Sequence, residues 1–191
     1  MARTAPPLHG TPPAARILIA GPSGTGKTTL ARRAANLTGI PHTEIDALFH
    51  GPGWRPLPDF AARVERLSAQ SAWITEWQYR EHVGDLLAGR AQLLVHLDYA
   101  PHVHLTRLVL RTLRRRLRDE PLWADNREPP LRTFFTDPEH IVRWGWATRA
   151  RIRRAVRTAA EAHPGLRTLV LSSPRQAEAW LRSLAGEGTQ H

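Results

Sequence analysis

A chain of 191 residues accommodates one domain with a full core and a small insertion. Its hydrophobic content of 41%, with seven Trp, excludes a disordered chain, and the absence of Cys excludes disulfides and thiolate metal sites. The formal charge of +10 at pH 7 is local: residues 107–157 hold fourteen Arg against six carboxylates (Asp119, Glu120, Asp125, Glu128, Asp137 and Glu139). Such a segment suits either a nucleic-acid face or an arginine-rich cap over an anion.

Residues 1–15 contain four Pro and no apolar periodicity, and are expected to form a flexible tail. They lack the apolar core of a signal peptide, and no apolar run in the chain is long enough to span a bilayer. The expectation is a cytoplasmic protein without a membrane partner. Arg16–Ala20 reads as a buried strand. The stretch Ile17–Leu30, ILIAGPSGTGKTTL, then fits the phosphate-loop pattern of two glycines five apart followed by Lys and a hydroxyl residue. Its expected nucleotide-binding residues are Gly21, Pro22, Ser23, Gly24, Thr25, Gly26, Lys27, Thr28 and Thr29. The glycines let backbone N–H groups converge on phosphate oxygens, and the helix N-terminus adds a favourable dipole. Lys27 is expected to reach the β- and γ-phosphates, and Thr28 to offer its hydroxyl to Mg2+. Lys27 is also the sole lysine among 27 basic residues. A compact ammonium slots between two phosphates better than a planar guanidinium does. ATP and Mg2+ are the expected cofactors.

Leu30, Ala34 and Leu37 keep helical spacing over Lys27–Thr38, and Gly39 supplies the stop. Ile40–Asp46 reads as a short second strand ending on a carboxylate. A Pro- and Gly-punctuated loop comes next, then a helix marked by Phe60, Val64 and Leu67, and a third strand at Ala72–Glu76. A short helix near Glu81–Ala88 leads to Gln92–Asp98, a continuous apolar run typical of a parallel strand buried on both faces. From Pro101 the pattern predicts a helix with one apolar face and one face carrying Arg107, Arg111, Arg114, Arg115 and Arg118. Beyond it lie an irregular polar segment at 118–138, a helix at Glu139–Ala162, a strand at Arg167–Leu171 and a last helix at Pro174–Leu184, leaving 185–191 as a tail. Strands alternating with helices predict an α/β fold with a parallel sheet between two helical layers, its ligands beyond the carboxyl ends of the strands. The ten His give no zinc site, since His102 and His104 point apart on a helix.

A phosphate loop needs an acid at the end of a neighbouring strand for Mg2+ or its water shell, and Asp46, Glu76 and Asp98 are the three available. Ala72–Arg80, AWITEWQYR, resembles the adenylate kinase segment in which an apolar strand ends in an acid, followed by an aromatic or Pro and then Arg. LLVHLDYAPHVHLTRLVLRTLRRR resembles the next strand of that group and the arginine-bearing helix entering its lid. More narrowly, EIDALFHGPGW, EWQYR and DEPLWADNREP resemble the bacterial adenylate-kinase-related P-loop proteins called topology modulation proteins, over roughly residues 16–184. Those proteins carry Asp then GNY where this chain has Glu76, Trp77, Gln78 and Tyr79, and often Arg where it has Gly84.

The resemblance implies one P-loop kinase domain at 16–184, with a five-stranded parallel sheet of order 2-3-1-4-5 and a small arginine-rich lid at 118–138. It makes Glu76 the metal-associated acid beside Thr28 and gives Asp98 a mainly structural role. Arg111 and Arg115 correspond to lid-base arginines that contact the nucleotide, with Arg115 among the expected catalytic residues beside Lys27, Asp46 and Glu76. Asp46 either orients and deprotonates an acceptor hydroxyl, as in the similar shikimate and gluconate kinases, or caps the following turn. Arg127 suits a lid contact to phosphate or a surface ion pair. Arg149 and Arg153 are further candidates for a phosphate cage. The leading expectation is a kinase moving the γ-phosphoryl of ATP to a small molecule or nucleotide, as a monomer or homodimer. The alternatives are an ATP-binding regulatory or nucleic-acid-associated protein with little transferase activity, and a 5′-hydroxyl polynucleotide kinase. Trp123, Trp144 and Trp146 among the basic residues keep nucleic acid open as a partner.

Overall fold

The computed structural model describes residues 14–100, 103 and 138–187. Four parallel strands, β1 (Arg16–Ala20), β2 (Trp73–Glu76), β3 (Leu93–Leu97) and β4 (Arg167–Leu171), form one sheet in the order β2-β1-β3-β4. The α-helices bounded within the described residues are α1 (Lys27–Thr38), α2 (Ile45–Phe49), α3 (Phe60–Ser68), α4 (Arg80–Val83), α5 (Leu86–Arg90), α6 (Pro138–Ala162) and α7 (Pro174–Glu187). The helix expected near Glu81–Ala88 is thus two short ones, divided at Gly84 and Asp85, and α7 runs past its expected end at Leu184. The helix expected from Pro101, with Arg111 and Arg115, lies outside the described residues apart from Val103. Arg127 and the lid-like segment up to Asp137 lie outside them altogether.

Alternation along the strands divides the core in two. Ile17, Ile19, Ile74, Leu93, Val95 and Leu97 pack on one face against Leu30, Ala31 and Ala34 of α1 and Ala177, Trp180 and Leu181 of α7. Leu18, Ala20, Trp73 and Leu94 pack on the other against α3, α5 and α6, through Phe60, Val64, Leu67, Leu87, Val156 and Ala159. Both faces of β1 and β3 are therefore largely dry, which accounts for their apolar sequences, broken only by Arg16 at the start of β1 and by His96 in β3. Gly39 ends α1 in the left-handed region at φ 72°, its N–H donated to the Ala35 carbonyl.

The expected second strand does not form, so the sheet among the described residues has four strands rather than five. Residues 41–43 lie alongside β2 at a single parallel bridge, His42 opposite Ile74, with Ile74 N–H donated to Pro41 and Thr43 N–H to Ile74. Pro41 has no N–H with which to continue the ladder in one direction. In the other direction side chains of β2 take over. Thr75 Oγ1 donates to the Thr43 carbonyl at 2.8 Å, and the Ile45 N–H goes to the Glu76 carboxylate at 3.1 Å. The chain then turns into α2, so Asp46 sits in the first turn of a helix and not at a strand end.

Leu94, fully buried at the centre of the sheet, reads out this packing. Leu94→Ala is expected to lower the unfolding free energy by about 2–5 kcal/mol, seen as a lower midpoint in urea with an unchanged slope.

Candidate functional site

The phosphate loop joins β1 to α1 at the carboxyl edge of the sheet. Gly26 caps α1 in the left-handed region at φ 89°, a conformation that glycine adopts without cost. Gly21 is held by close approach: a Cβ there would lie 2.9 Å from Thr25 Oγ1 and 3.0 Å from both Cβ and O of Leu97. The loop closes on itself through the Pro22 carbonyl, which accepts from Thr25 Oγ1 at 2.8 Å, Thr25 N at 3.3 Å and Lys27 Nζ at 3.3 Å. Lys27 is buried, 8% exposed, with its ammonium folded over the loop. Ser23, Gly24 and Thr28 are half-buried and Thr29 is exposed.

Beside the loop, β2 ends on Glu76, buried at 1% exposure. Its Oε2 accepts the Ile45 N–H at 3.1 Å and its Oε1 faces His42 Nε2 at 3.2 Å. Burial pushes the carboxyl up, but the bonds from His42 and the Ile45 N–H, then the electrostatic attraction of His42 and a smaller pull from the nearby Thr28 hydroxyl, outweigh it and hold the group below the ordinary carboxylate range. Glu76 is therefore ionised at neutral pH. Thr28 and Glu76, distant in sequence, are thus brought together, while His42 carried no signal in the sequence that would have paired it with Glu76.

Asp46 projects from the first turn of α2 toward the segment after β2. Tyr79 donates its hydroxyl to Asp46 Oδ1 at 2.5 Å, and Gln78 Nε2 approaches the same oxygen at 3.4 Å. With its one proton so used, the Tyr79 oxygen accepts from His50 Nε2 at 3.0 Å. Burial, followed by the Asp46 hydrogen bond and charge, pushes the phenol far above its usual range, so it stays neutral. Tyr79 is the one described non-glycine residue at positive φ, 54°, a conformation that costs a tyrosine of the order of 1 kcal/mol. Stacking on Phe49 with a centroid separation of 3.8 Å, and an edge contact to Phe60 at 5.6 Å, hold it there. In sequence only its place in EWQYR set Tyr79 near Glu76. The neighbouring Arg80 lies over the Trp77 ring at 4.5 Å.

Asp98, just past β3, has a different environment. Arg149 Nε donates to Oδ1 at 2.6 Å, Arg153 donates to Oδ2 through Nε and a terminal nitrogen at 2.8 and 2.6 Å, and a second Arg149 nitrogen reaches the Asp98 carbonyl at 3.0 Å. These two arginines are committed to a carboxylate at the strand end. His96, two residues earlier, is buried, and burial pushes its imidazole below the ordinary value. It carries no charge at neutral pH. Among the described residues no group of three or more His, Asp or Glu is placed to hold a metal ion by itself.

The parallel sheet, the phosphate loop between β1 and α1 and the acid ending the adjacent strand define the α/β P-loop kinase fold. The family model described as "ATPase family associated with various cellular activities (AAA)" matches residues 17–51, which run from β1 through the phosphate loop and α1 to the end of α2. Cytidylate kinase of Nitratidesulfovibrio vulgaris is 47% identical over 51 residues, 26% of this chain and 22% of that protein, so the chain aligns with less than a quarter of its curated relative. Shikimate kinase from Acinetobacter baumannii, solved with shikimate, superposes with a TM-score of 0.53 at 19% identity over 92% of this chain and 94% of that one. Shikimate kinase from Bacteroides thetaiotaomicron gives 0.51 at 14% identity over 92% and 98%. The chain is similar to these kinases in fold.

Gly21 offers a test of the loop that is independent of any acceptor. In Gly21→Ala the added methyl meets backbone and side chain at 3.0 Å or less, so the loop must shift. Affinity for a fluorescent ATP analogue is expected to fall by at least about tenfold, the equivalent of one charge-assisted hydrogen bond, with the circular dichroism of the fold retained.

Proposed function

We propose that this protein is a small P-loop kinase that transfers the γ-phosphoryl group of ATP to the hydroxyl of a small-molecule or nucleotide acceptor. The observation that carries the reading is the position of Glu76. This buried carboxylate ends the strand paired with β1, which leads into the phosphate loop, and it accepts the Ile45 N–H, next to Asp46. The acid beside the nucleotide end of a transfer site is thereby tied to the helix at its acceptor end. The similarity to cytidylate and shikimate kinases supports the same class.

The residues have distinct parts. Loop N–H groups and the α1 N-terminus cradle the phosphates, with Lys27 supplying a positive charge between the β- and γ-groups. Thr28 and Glu76 present oxygen atoms, the donor type that Mg2+ takes, and these two would hold the ion or its water shell. Bound there, Mg2+ neutralises charge on the phosphate oxygens. Asp46 orients the acceptor hydroxyl and takes its proton. A lid at 118–138 would exclude water, and Arg111 and Arg115 at its base would stabilise the developing charge.

The decisive experiment is incubation with γ-labelled ATP, Mg2+ and panels of nucleotides, sugars, other small hydroxyl compounds and oligonucleotides, following the label. Transfer to one acceptor class is the expected result; a protein that binds ATP but transfers no label overturns the reading. Lys27→Ala is expected to weaken ATP binding or turnover by at least about tenfold, since charge-assisted bonds contribute roughly 1.5–3 kcal/mol. Glu76→Gln is expected to reduce Mg2+-dependent activity more than Asp98→Asn, whose partners are arginines.

A specific observation favours a second reading, attachment to nucleic acid. Arg151, Arg154 and Arg157 are exposed on α6, three and three residues apart, with no carboxylate between them. Oligonucleotide binding that weakens steeply with salt, together with absent label transfer, would support it.

A further inference from the structure

Asp46 is held by a residue that has no part in the phosphate loop. The Tyr79 hydroxyl and the Gln78 amide both reach Oδ1, at 2.5 and 3.4 Å. Oδ2 accepts no hydrogen bond among the described residues. The phenol is itself fixed: Phe49 stacks on its ring within 13° of parallel, Phe60 meets it edge-on, and His50 lies on its oxygen at 3.0 Å. Its backbone keeps φ at 54°, an arrangement that packing must maintain.

A free carboxylate turns about its last bond and presents either oxygen. Proton transfer from an alcohol needs one oxygen held within hydrogen-bond reach of the proton. Resting on the kinase reading, we infer that Tyr79 is a positioning residue for phosphoryl transfer, clamping Oδ1 of Asp46 so that Oδ2 receives the acceptor's proton. In the step so organised, the acceptor O–H bond breaks and its proton goes to Oδ2. The acceptor oxygen bonds to the γ-phosphorus, and the bond from that phosphorus to the β,γ-bridging oxygen breaks to leave ADP. Tyr79 remains neutral throughout, since burial and the Asp46 charge both oppose loss of its proton.

Tyr79→Phe tests this, because it keeps the ring and its stacking and removes only the hydroxyl. The assay is label release from γ-labelled Mg-ATP, to the acceptor found in the panel or to water, for wild type, Tyr79→Phe, Asp46→Asn and the double variant. ATP binding and near-ultraviolet circular dichroism serve as folding controls. The expected result is a kcat for Tyr79→Phe lower by about tenfold, the scale of one hydrogen bond to a charged group, with the KM for ATP changed by less than about twofold. In the Asp46→Asn background the same change is expected to cost nothing further, because the two residues act as one unit. Should Tyr79→Phe keep full kcat, or lose the same factor with Asp46 already neutralised, the inference falls and the kinase reading stands. Should wild type bind ATP yet release no label to any acceptor or to water, the kinase reading falls and takes this inference with it.

Discussion

The arrangement of the candidate site depends on one buried carboxylate that cannot be left unsatisfied. An ionised acid at the position of Glu76 costs several kcal/mol in desolvation unless hydrogen bonds replace the water. The chain meets that demand from two elements beside β2: the edge segment through His42 and the start of α2 through the Ile45 N–H. Each bond also fixes the element that makes it. The helix carrying Asp46 and the sheet edge are consequently aligned by a single group, and the same group shortens the sheet by drawing away an N–H that would have extended the ladder.

Asp98 occupies the corresponding place after β3 and has a different solution. Its oxygens are filled by two guanidinium groups from α6. Arg149 is mostly buried in this contact, at 14% side-chain exposure, whereas Arg153 is half-exposed. One carboxylate faces two guanidinium groups, and a long helix is anchored at the carboxyl edge of the sheet. Two acids at the carboxyl edge of the sheet thus serve different ends: one is ion-paired with cations, the other is held by the Ile45 N–H and His42.

How much of the molecule was legible in the sequence depends on how local each signal is. The phosphate loop, the apolar runs of β1 and β3 and the Gly39 stop each rest on neighbouring residues, and each formed as expected. The placement of β2 beside β1, with β3 on the other side, agrees with the order that the resemblance implied once the missing edge strand is set aside. That strand was misread because Ile40–Asp46 has strand-like residues, whereas its failure depends on Pro41 meeting β2 and on Glu76 competing for the Ile45 N–H. Asp46 accordingly sits in a helix. The Tyr79–Asp46 bond spans two elements and a strained backbone, and the arginine fork on Asp98 spans roughly fifty residues of chain; neither has a periodicity or spacing that reveals it. Arg111, Arg115 and Arg127 belong to segments outside the described residues.

The solitary lysine has a consequence for solution chemistry. Apart from the chain's α-amino group, Lys27 is the one aliphatic amine in the sequence, and it lies folded over the Pro22 carbonyl. Amine-directed reagents, which modify most proteins at many places, therefore have a single internal target here, and it is the loop itself. The mass of one acylated lysine peptide reports the state of this loop, with no second lysine to add to it.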